Sequence, residues 1–404
     1  MNKIVGLLLV MISSSSFATS LNFLSISDPH LNIDSKHQMQ IDPKGYAPAN
    51  DLDLATFNTL TSELKQHTGS GQLIPQPSFI LLPGDLVGHK IFNFGTRKSF
   101  VLKNEQAVFE NIQNSYPDTP IFYVFGNNDS PQRNYGDFSS KDGSPLEAAR
   151  AAGFKNGFLS TGVICHENSD VLPCLEEQNP KLGFYSAKLA PGLKLIALNS
   201  IMFSPNHDAK ATNTQAQFNF LKQQLAQAQK EQYSVLIAMH IPVGNNLYDG
   251  KKFWKAKYEK EFLKILNDHS SVVRGILVGH THMEQFQPIV LKSKTIGQYY
   301  TAGLSTSHGN SPSVKSFRLS NEDGNWTLAN YTAYGFHRQD GKIQLNKSYR
   351  FFQNYCPAQL KRPNINLCLN GVNFKEVYPK MTENNPNYPN YKMSSPQSFR
   401  VIQE

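Results

Sequence analysis

Five short apolar runs in this chain each stop at residues that a hydrophobic core rejects. Leu21–Ser27 runs into Asp28, Pro29 and His30. Ser78–Leu82 is followed by Gly84 and Asp85, with His89 a little further on. Pro120–Phe125 leads into Gly126, Asn127, Asn128 and Asp129. Ser234–Met239 ends at His240, and Val273–Val278 ends at Gly279, His280, Thr281 and His282. Runs of this kind read as buried strands, and Leu193–Leu198 adds another. Helical periodicity lies between some of them. It appears at Leu54, Phe57, Leu60 and Leu64 within Leu52–His67 and at Phe218, Leu221 and Leu225 within Gln215–Gln229, where Thr214 is the cap region. Phe262 and Leu266 repeat it within Tyr258–Leu266. Strands alternating with helices predict a layered α/β fold. Ligands in open α/β sheets bind beyond the carboxyl ends of strands, so the five polar terminations are expected to converge.

Beyond residue 294 the pattern becomes strand-like, at Ile296–Ala302, Val314–Leu319 and Trp326–Tyr334. These read as the far sheet of the same domain, residues 19–337. Residues 338–404, rich in Asn, Pro, Tyr and Lys, read as a C-terminal annex packed on it. At the other end, Lys3, the apolar Ile4–Ile12 and the small Ser16 and Ala18 form the pattern of a signal peptide over residues 1–18. An uncleaved anchor is the alternative, for which the apolar stretch is short. No run reaches the ~20 apolar residues of a spanning helix. The expected location is therefore secreted or periplasmic. Export makes four cysteines readable as two disulfides. Three pairings are open; the local one joins Cys165 to Cys174 and Cys356 to Cys368. A cysteine metal site is the alternative, but neither pair has the short gap of a zinc knuckle.

The residues at the strand ends suit a metal centre. Asp and Asn supply oxygen, and His supplies nitrogen. In an extended segment, Asp-x-His or His-x-His sends both side chains to one side. Gly84, Gly126 and Gly279 let the backbone turn sharply just before Asp85, Asn127 and His280. Two metals ~3.5–4 Å apart would clamp the attacking and leaving oxygens of an in-line phosphoryl displacement. Singly, an Asp-x-His is most often a surface turn or a hydrogen-bonded His, and a Gly-Asp is turn chemistry. All five in this order, each after a strand, read as one site.

Over residues 21–335 this set resembles the calcineurin-like metallophosphoesterase family, with Asp-x-His, Gly-Asp, Gly-Asn-x-Asp, His and Gly-His-x-His in order. The resemblance implies a two-sheet β-sandwich flanked by helices around a dinuclear centre. Asp28, His30 and His282 would hold one metal, Asn127, His240 and His280 the other, and Asp85 would bridge them opposite a hydroxide. The metals would be Zn²⁺, with Mn²⁺ or Fe²⁺ as alternatives. The acid sphingomyelinase-like branch is more similar still. It carries a His at the position of His89, and its segments resemble His240–Gly244, Gln217–Leu221 and Ser311–Arg318. No counterpart of a saposin-like domain is seen. Purple acid phosphatases need a Tyr where this chain has Gly88.

One position departs from the family. Where a His usually follows the metal-binding Asn, this chain has Asn128, which donates hydrogen bonds but cannot give a proton at neutral pH. Acid assistance of the leaving group is worth about 10²–10⁴-fold when that group is poor. A phosphate leaving an anhydride needs less help than an alkoxide. Asn128 thus favours phosphoanhydrides, with His89 as the remaining acid. Gly-Asn-Asn-Asp also resembles the endopolyphosphatases of the branch. The alternative is that His89 does all the proton work and Asn128 is a neutral replacement.

A net charge of +8 suits a small or polyanionic phosphate substrate, or marks a basic exported protein with scattered lysines. No Lys/Arg block points to a nucleic-acid-binding module. His308, in the loop Ser305–Gly309, is a candidate substrate contact. His37, His67, His166, His207, His269 and His337 have no motif around them and read as surface residues. The resemblance therefore implies an exported dinuclear-metal hydrolase of phosphodiester or phosphoanhydride bonds, with nucleotides or polyphosphate favoured. A sphingomyelin phosphodiesterase of phospholipase C type and a non-catalytic phosphate-binding protein on the same fold are the alternatives. Oligomeric state is left open.

Overall fold

The computed structural model describes residues 19–42, 51–89, 96–139, 141–166, 171–247, 249–322, 324–358, 360, 363–373, 375–377, 381 and 399–403. The expected signal peptide lies outside the described residues. In chain order the elements are β1 (Thr19–Ser25), β2 (Leu31–Asn32), β3 (Leu52–Asp53), α1 (Leu54–Gln66), β4 (Phe79–Leu82), α2 (Arg97–Ser115), β5 (Ile121–Tyr123) and α3 (Pro145–Ala151). Then come β6 (Cys174–Asn179), β7 (Phe184–Ala190), β8 (Leu193–Leu198), α4 (Ala211–Glu231), β9 (Ser234–Met239), α5 (Ala256–Asp268) and β10 (Val273–Val278). The chain continues through β11 (Phe286–Val290), β12 (Thr295–Tyr300), β13 (Ser313–Glu322), β14 (Asn325–Gln339), β15 (Lys342–Arg350), α6 (Phe351–Tyr355), α7 (Ile365–Cys368) and β16 (Val401–Ile402).

Two large sheets form a sandwich with helices outside it. The six-stranded sheet runs β15-β14-β13-β1-β4-β5, and the eight-stranded sheet runs β16-β11-β12-β10-β9-β8-β7-β6. Between them the apolar faces interlock. Phe23 stacks on Phe79 at 4.7 Å and on Phe317 at 4.8 Å, and Tyr299 from the opposite sheet meets Phe317 edge-on. β1, β4 and β5 are mutually parallel, as are β8, β9 and β10. Parallel pairing brings the carboxyl ends of neighbouring strands together. A bond from Asp28 N to Gly84 O (3.1 Å) joins the ends of β1 and β4 within one sheet, and one from Leu304 N to Ser27 O (3.0 Å) ties the loop after β12 of the other sheet to the end of β1.

The three late runs do not form one far sheet. β12 pairs parallel with β10 in the eight-stranded sheet, whereas β13 pairs antiparallel with β1 and β14 with β13 in the other. The free side of β1, opposite β4, offers unpaired backbone groups that β13 satisfies. The boundary drawn at 337/338 falls inside β14, and residues after it supply β15 to one sheet and β16 to the other. Helix α2 carries no clean apolar stripe, because Asn104 and Glu105 lie on its buried face among Phe100, Val108, Phe109 and Ile112. Its periodicity is correspondingly weak in the sequence. The disulfides are the local pairs, Cys165–Cys174 and Cys356–Cys368, with Cα atoms 5.0 and 5.2 Å apart.

Candidate metal centre

The polar terminations meet at one end of the sandwich. Asp28, His30 and His282 each offer a ligand atom within 4.8 Å of the others, and so do Asp85, His240 and His280. Asp28, His30, Asp85, His280 and His282 all have positive φ, between 42° and 74°. Such backbone costs ~1–3 kcal/mol per residue and collects at functional sites. Gly126 makes one close approach tolerable: a Cβ there would fall on the backbone nitrogen of Asp85.

Hydrogen bonds assign the imidazole tautomers. Nδ1 of His30 faces Val87 O at 3.1 Å, that of His240 faces Pro83 O at 2.8 Å, and that of His282 faces Ser305 O at 3.3 Å. A carbonyl only accepts, so each Nδ1 carries a proton and each Nε2 turns inward. The inward atoms crowd. Nε2 of His30 lies 2.9 Å from Nε2 of His282, and Nε2 of His240 lies 3.0 Å from Asn127 Oδ1. Asn127 points its oxygen inward because its Nδ2 donates to Asn134 Oδ1 at 2.9 Å. Asp85 Oδ2 stands 3.5 Å from His30 and 3.4 Å from His240. Acceptors facing acceptors at these distances repel unless a cation lies among them. The donor set of imidazole, carboxylate and amide oxygen suits a borderline divalent ion.

Without an ion, a proton takes its place at His240. Burial opposes charge on His240, but the Asp85 carboxylate outweighs it and lifts His240 to about 9. Asp85 itself is held well below the usual carboxylate range by His240 and His30, against the effect of burial. Burial and the neighbouring His240 push His280 down to about 3. Burial, with His308 and His30 nearby, keeps His282 neutral.

Asp129 shapes the loops. It is buried, and its carboxylate accepts from the backbone nitrogens of Asp85, Leu86 and Gly126 and from the Tyr123 hydroxyl, at 2.7–3.0 Å. Asn128 donates to Asp85 twice, from its backbone N (2.7 Å) and from Nδ2 (2.9 Å). Thus one hydrogen of the Asn128 amide is committed to the Asp85 carboxylate.

The structure places four further residues that sequence reasoning passed over. Asp51 accepts from the backbone N of His89 and bonds its Nδ1, both at 2.8 Å. The His89 ring stacks on His30 at 4.2 Å. Gly88 is the space for this pair, since a Cβ there would meet Asp51 Oδ2 at 2.7 Å. Arg97 donates to Asn128 O (2.7 Å) and Ser130 O (3.0 Å). Tyr135 and Phe253 line the same pocket of about 270 Å³ as His30, Asp85, His89 and Asn128. None of these four belongs to a motif; only the folded chain brings them in. His308 lies against His282, with ring centroids 4.4 Å apart. His207 is not a surface residue. It is buried, and its Nδ1 donates to Tyr135 O at 2.7 Å, because the loop after β5 folds back over it.

A two-sheet sandwich with an Asp/His/Asn donor set at its strand ends defines a protein of the metallophosphoesterase fold, a class built around a dinuclear metal site. The sequence model of the calcineurin-like phosphoesterase family matches residues 21–284, and the chain belongs to that family. It is similar to "Sphingomyelinase phosphodiesterase D" of Dictyostelium discoideum, at 25% identity over 64% of this chain and 56% of that one. It is 25% identical to "Acid sphingomyelinase-like phosphodiesterase 3b" of Mus musculus, over 66% and 58%. It is 26% identical to "Cyclic GMP-AMP phosphodiesterase SMPDL3A" of Rattus norvegicus, over 72% and 64%. The chain thus spans rather more than half the length of these relatives. Among the described residues no helix is long and apolar enough to cross a membrane.

Proposed function

We propose that this protein is an exported, metal-dependent phosphohydrolase that cleaves phosphoanhydride or phosphodiester bonds, with nucleotides or polyphosphate as the favoured substrates. The observation that carries the reading is the crowding of His30, His282, His240, Asn127 and Asp85 acceptor atoms around two centres in one pocket. Asp28, His30 and His282 would hold one ion, Asn127, His240 and His280 the other, and Asp85 would serve both; zinc is the metal we favour. When bound, such ions supply Lewis-acid neutralisation of phosphate charge and an activated water. The chain's own residues do the rest. Asp51 orients His89 through Nδ1, so Nε2 is the atom able to pass a proton to the departing oxygen. The second hydrogen of the Asn128 amide is available to a phosphate oxygen. Since Asn128 gives no proton, substrates with good leaving groups are favoured.

Export is supported by the signal-like N-terminus and by two disulfides. We assign catalysis to the strand-end loops within residues 19–337 and a supporting role to the later residues, which complete the two sheets that carry those loops. The test is a phosphorus NMR time course with ATP, short polyphosphate and sphingomyelin micelles, each with zinc and with chelator. Zinc-dependent loss of anhydride signals, with sphingomyelin untouched, is the expected result. Phosphocholine release from sphingomyelin would instead favour the lipid reading, which the names of several relatives raise. Metal uptake with no turnover of any substrate would leave a phosphate-binding protein.

A further inference from the structure

Among the described residues, eight that are not glycine have positive φ. Five are the metal-donor candidates, Gln232 caps α4, and Asp340 turns the β14–β15 hairpin. That leaves Tyr135, at φ 57°. A bulky side chain in the left-handed region is an outlier that its surroundings must enforce. Here they do so three ways. Tyr135 N donates to Asn127 O at 2.8 Å, Tyr135 O accepts from His207 Nδ1 at 2.7 Å, and the phenol hydroxyl is bonded to Asn206. The result is a ring held beside the metal centre, near-perpendicular (87°) to His280 at 6.5 Å.

Phe253 does the same from another element. Its ring meets His280 at 73° and 5.7 Å, and its backbone N donates to Gly244 O at 3.0 Å, which ties it to the loop after β9. Both rings are only half-buried and both line the pocket. Asn134 lies on the same rim. Its Oδ1 is committed to Asn127, which leaves Nδ2 as a donor. Two partly exposed aromatic rings and an oriented amide donor match the chemistry of a planar heterocycle with ring acceptors. Bases bind aromatic rings through their π-faces.

We propose that Tyr135, Phe253 and Asn134 form a subsite for the nucleobase of the substrate, beside the metal centre. This rests on the phosphohydrolase reading and narrows it to nucleotides over polyphosphate. The subsite gives a role to a Tyr in a backbone conformation that Gly or Asn would adopt at lower cost.

The experiment is calorimetric titration of AMP and of inorganic phosphate into the zinc-loaded protein and into Phe253→Leu and Tyr135→Asn, Asn being tolerant of the left-handed region. AMP should bind the parent at least about ten-fold more tightly than phosphate, and each variant should lose about that factor for AMP while its phosphate affinity holds. Equal affinity of the parent for AMP and phosphate would overturn the proposal. So would variants that lose phosphate as much as AMP. A parent that prefers AMP but hydrolyses no phosphate bond would retain the subsite and sink the phosphohydrolase reading. Hydrolysis of anhydrides without any AMP preference would do the reverse.

Discussion

Lys315 on β13 sets its ammonium 2.8 Å from Glu284 Oε1, two residues beyond His282, and both side chains are buried. Tyr349 on β15 donates to the same oxygen at 2.7 Å, and the Lys315 ammonium sits 4.0 Å over the Tyr331 ring. One charge pair therefore links the loop of His280 and His282 to β13 and to a strand beyond residue 338. Removing one partner of a buried pair leaves the other charge uncompensated, at about 3–5 kcal/mol. Lys315→Met should lower the unfolding free energy in urea by about that much. The double variant with Glu284→Leu should recover most of it, as a double-mutant cycle would read.

The bond between Asp51 and His89 gives a kinetic expectation. Asp51→Asn removes the carboxylate that holds Nδ1, so kcat should fall about 10²-fold on alkyl phosphodiesters and less on anhydrides. Gly88→Ala should act in the same direction by displacing Asp51. Equal losses on both substrate types would remove His89 from the proton step.

Metal removal should destabilise the fold, because binding of the ion to the folded chain's His, Asn and Asp donors no longer favours the folded state. A ligand at a hundred times its Kd adds ~2.7 kcal/mol. Thermal melts with chelator should fall below those with zinc by several degrees, and re-addition of zinc should restore them. His30→Ala should lower the bound metal, read by elemental analysis, from two ions towards one per chain. Melting that ignores chelator would count against the centre.

Glu105 on α2 is buried, and among the described residues neither carboxylate oxygen has a hydrogen-bond partner. Burial, then the Asp129 charge, raises its pKa well above the ordinary value of 4.5, with Arg97 pulling the other way. The folded state therefore keeps a proton that the unfolded chain gives up. The associated stability is present below pH ~4.5 and is lost as pH rises from there towards the folded pKa. Glu105→Met should remove that slope. Its stability relative to the parent should be greater at pH 7.5 than at pH 4.5, by about 1–3 kcal/mol, in urea titrations at both. A constant difference would show that Glu105 does not titrate in this window.

Much of the architecture was legible because the relevant signals are local. β8, β9 and β10 occupy the residues that their apolar runs mark. The donor residues cluster in short stretches because each strand end carries one or two of them. Helix α2 was not legible, since its buried face includes Asn104 and Glu105, and burial of polar groups leaves no periodic trace. The assignment of β12 to one sheet and β13 to the other was not legible either. Apolar alternation states that a strand is buried, not which edge it pairs with.

The sequence by itself supplied the candidate donors and their order, since a metal ligand must be of a certain residue type at a certain strand end. It offered the local pairing of the cysteines as one of three, and the structure adopts that one. Only the tertiary structure decided what surrounds the donors. Asp51 reaches His89 across 38 residues, and His207 reaches Tyr135 across 72. Those contacts arise from two sheets closing on one another, an event that depends on the packing of the whole core. Residue types fix what the centre can bind, whereas packing fixes which rings and amides border it.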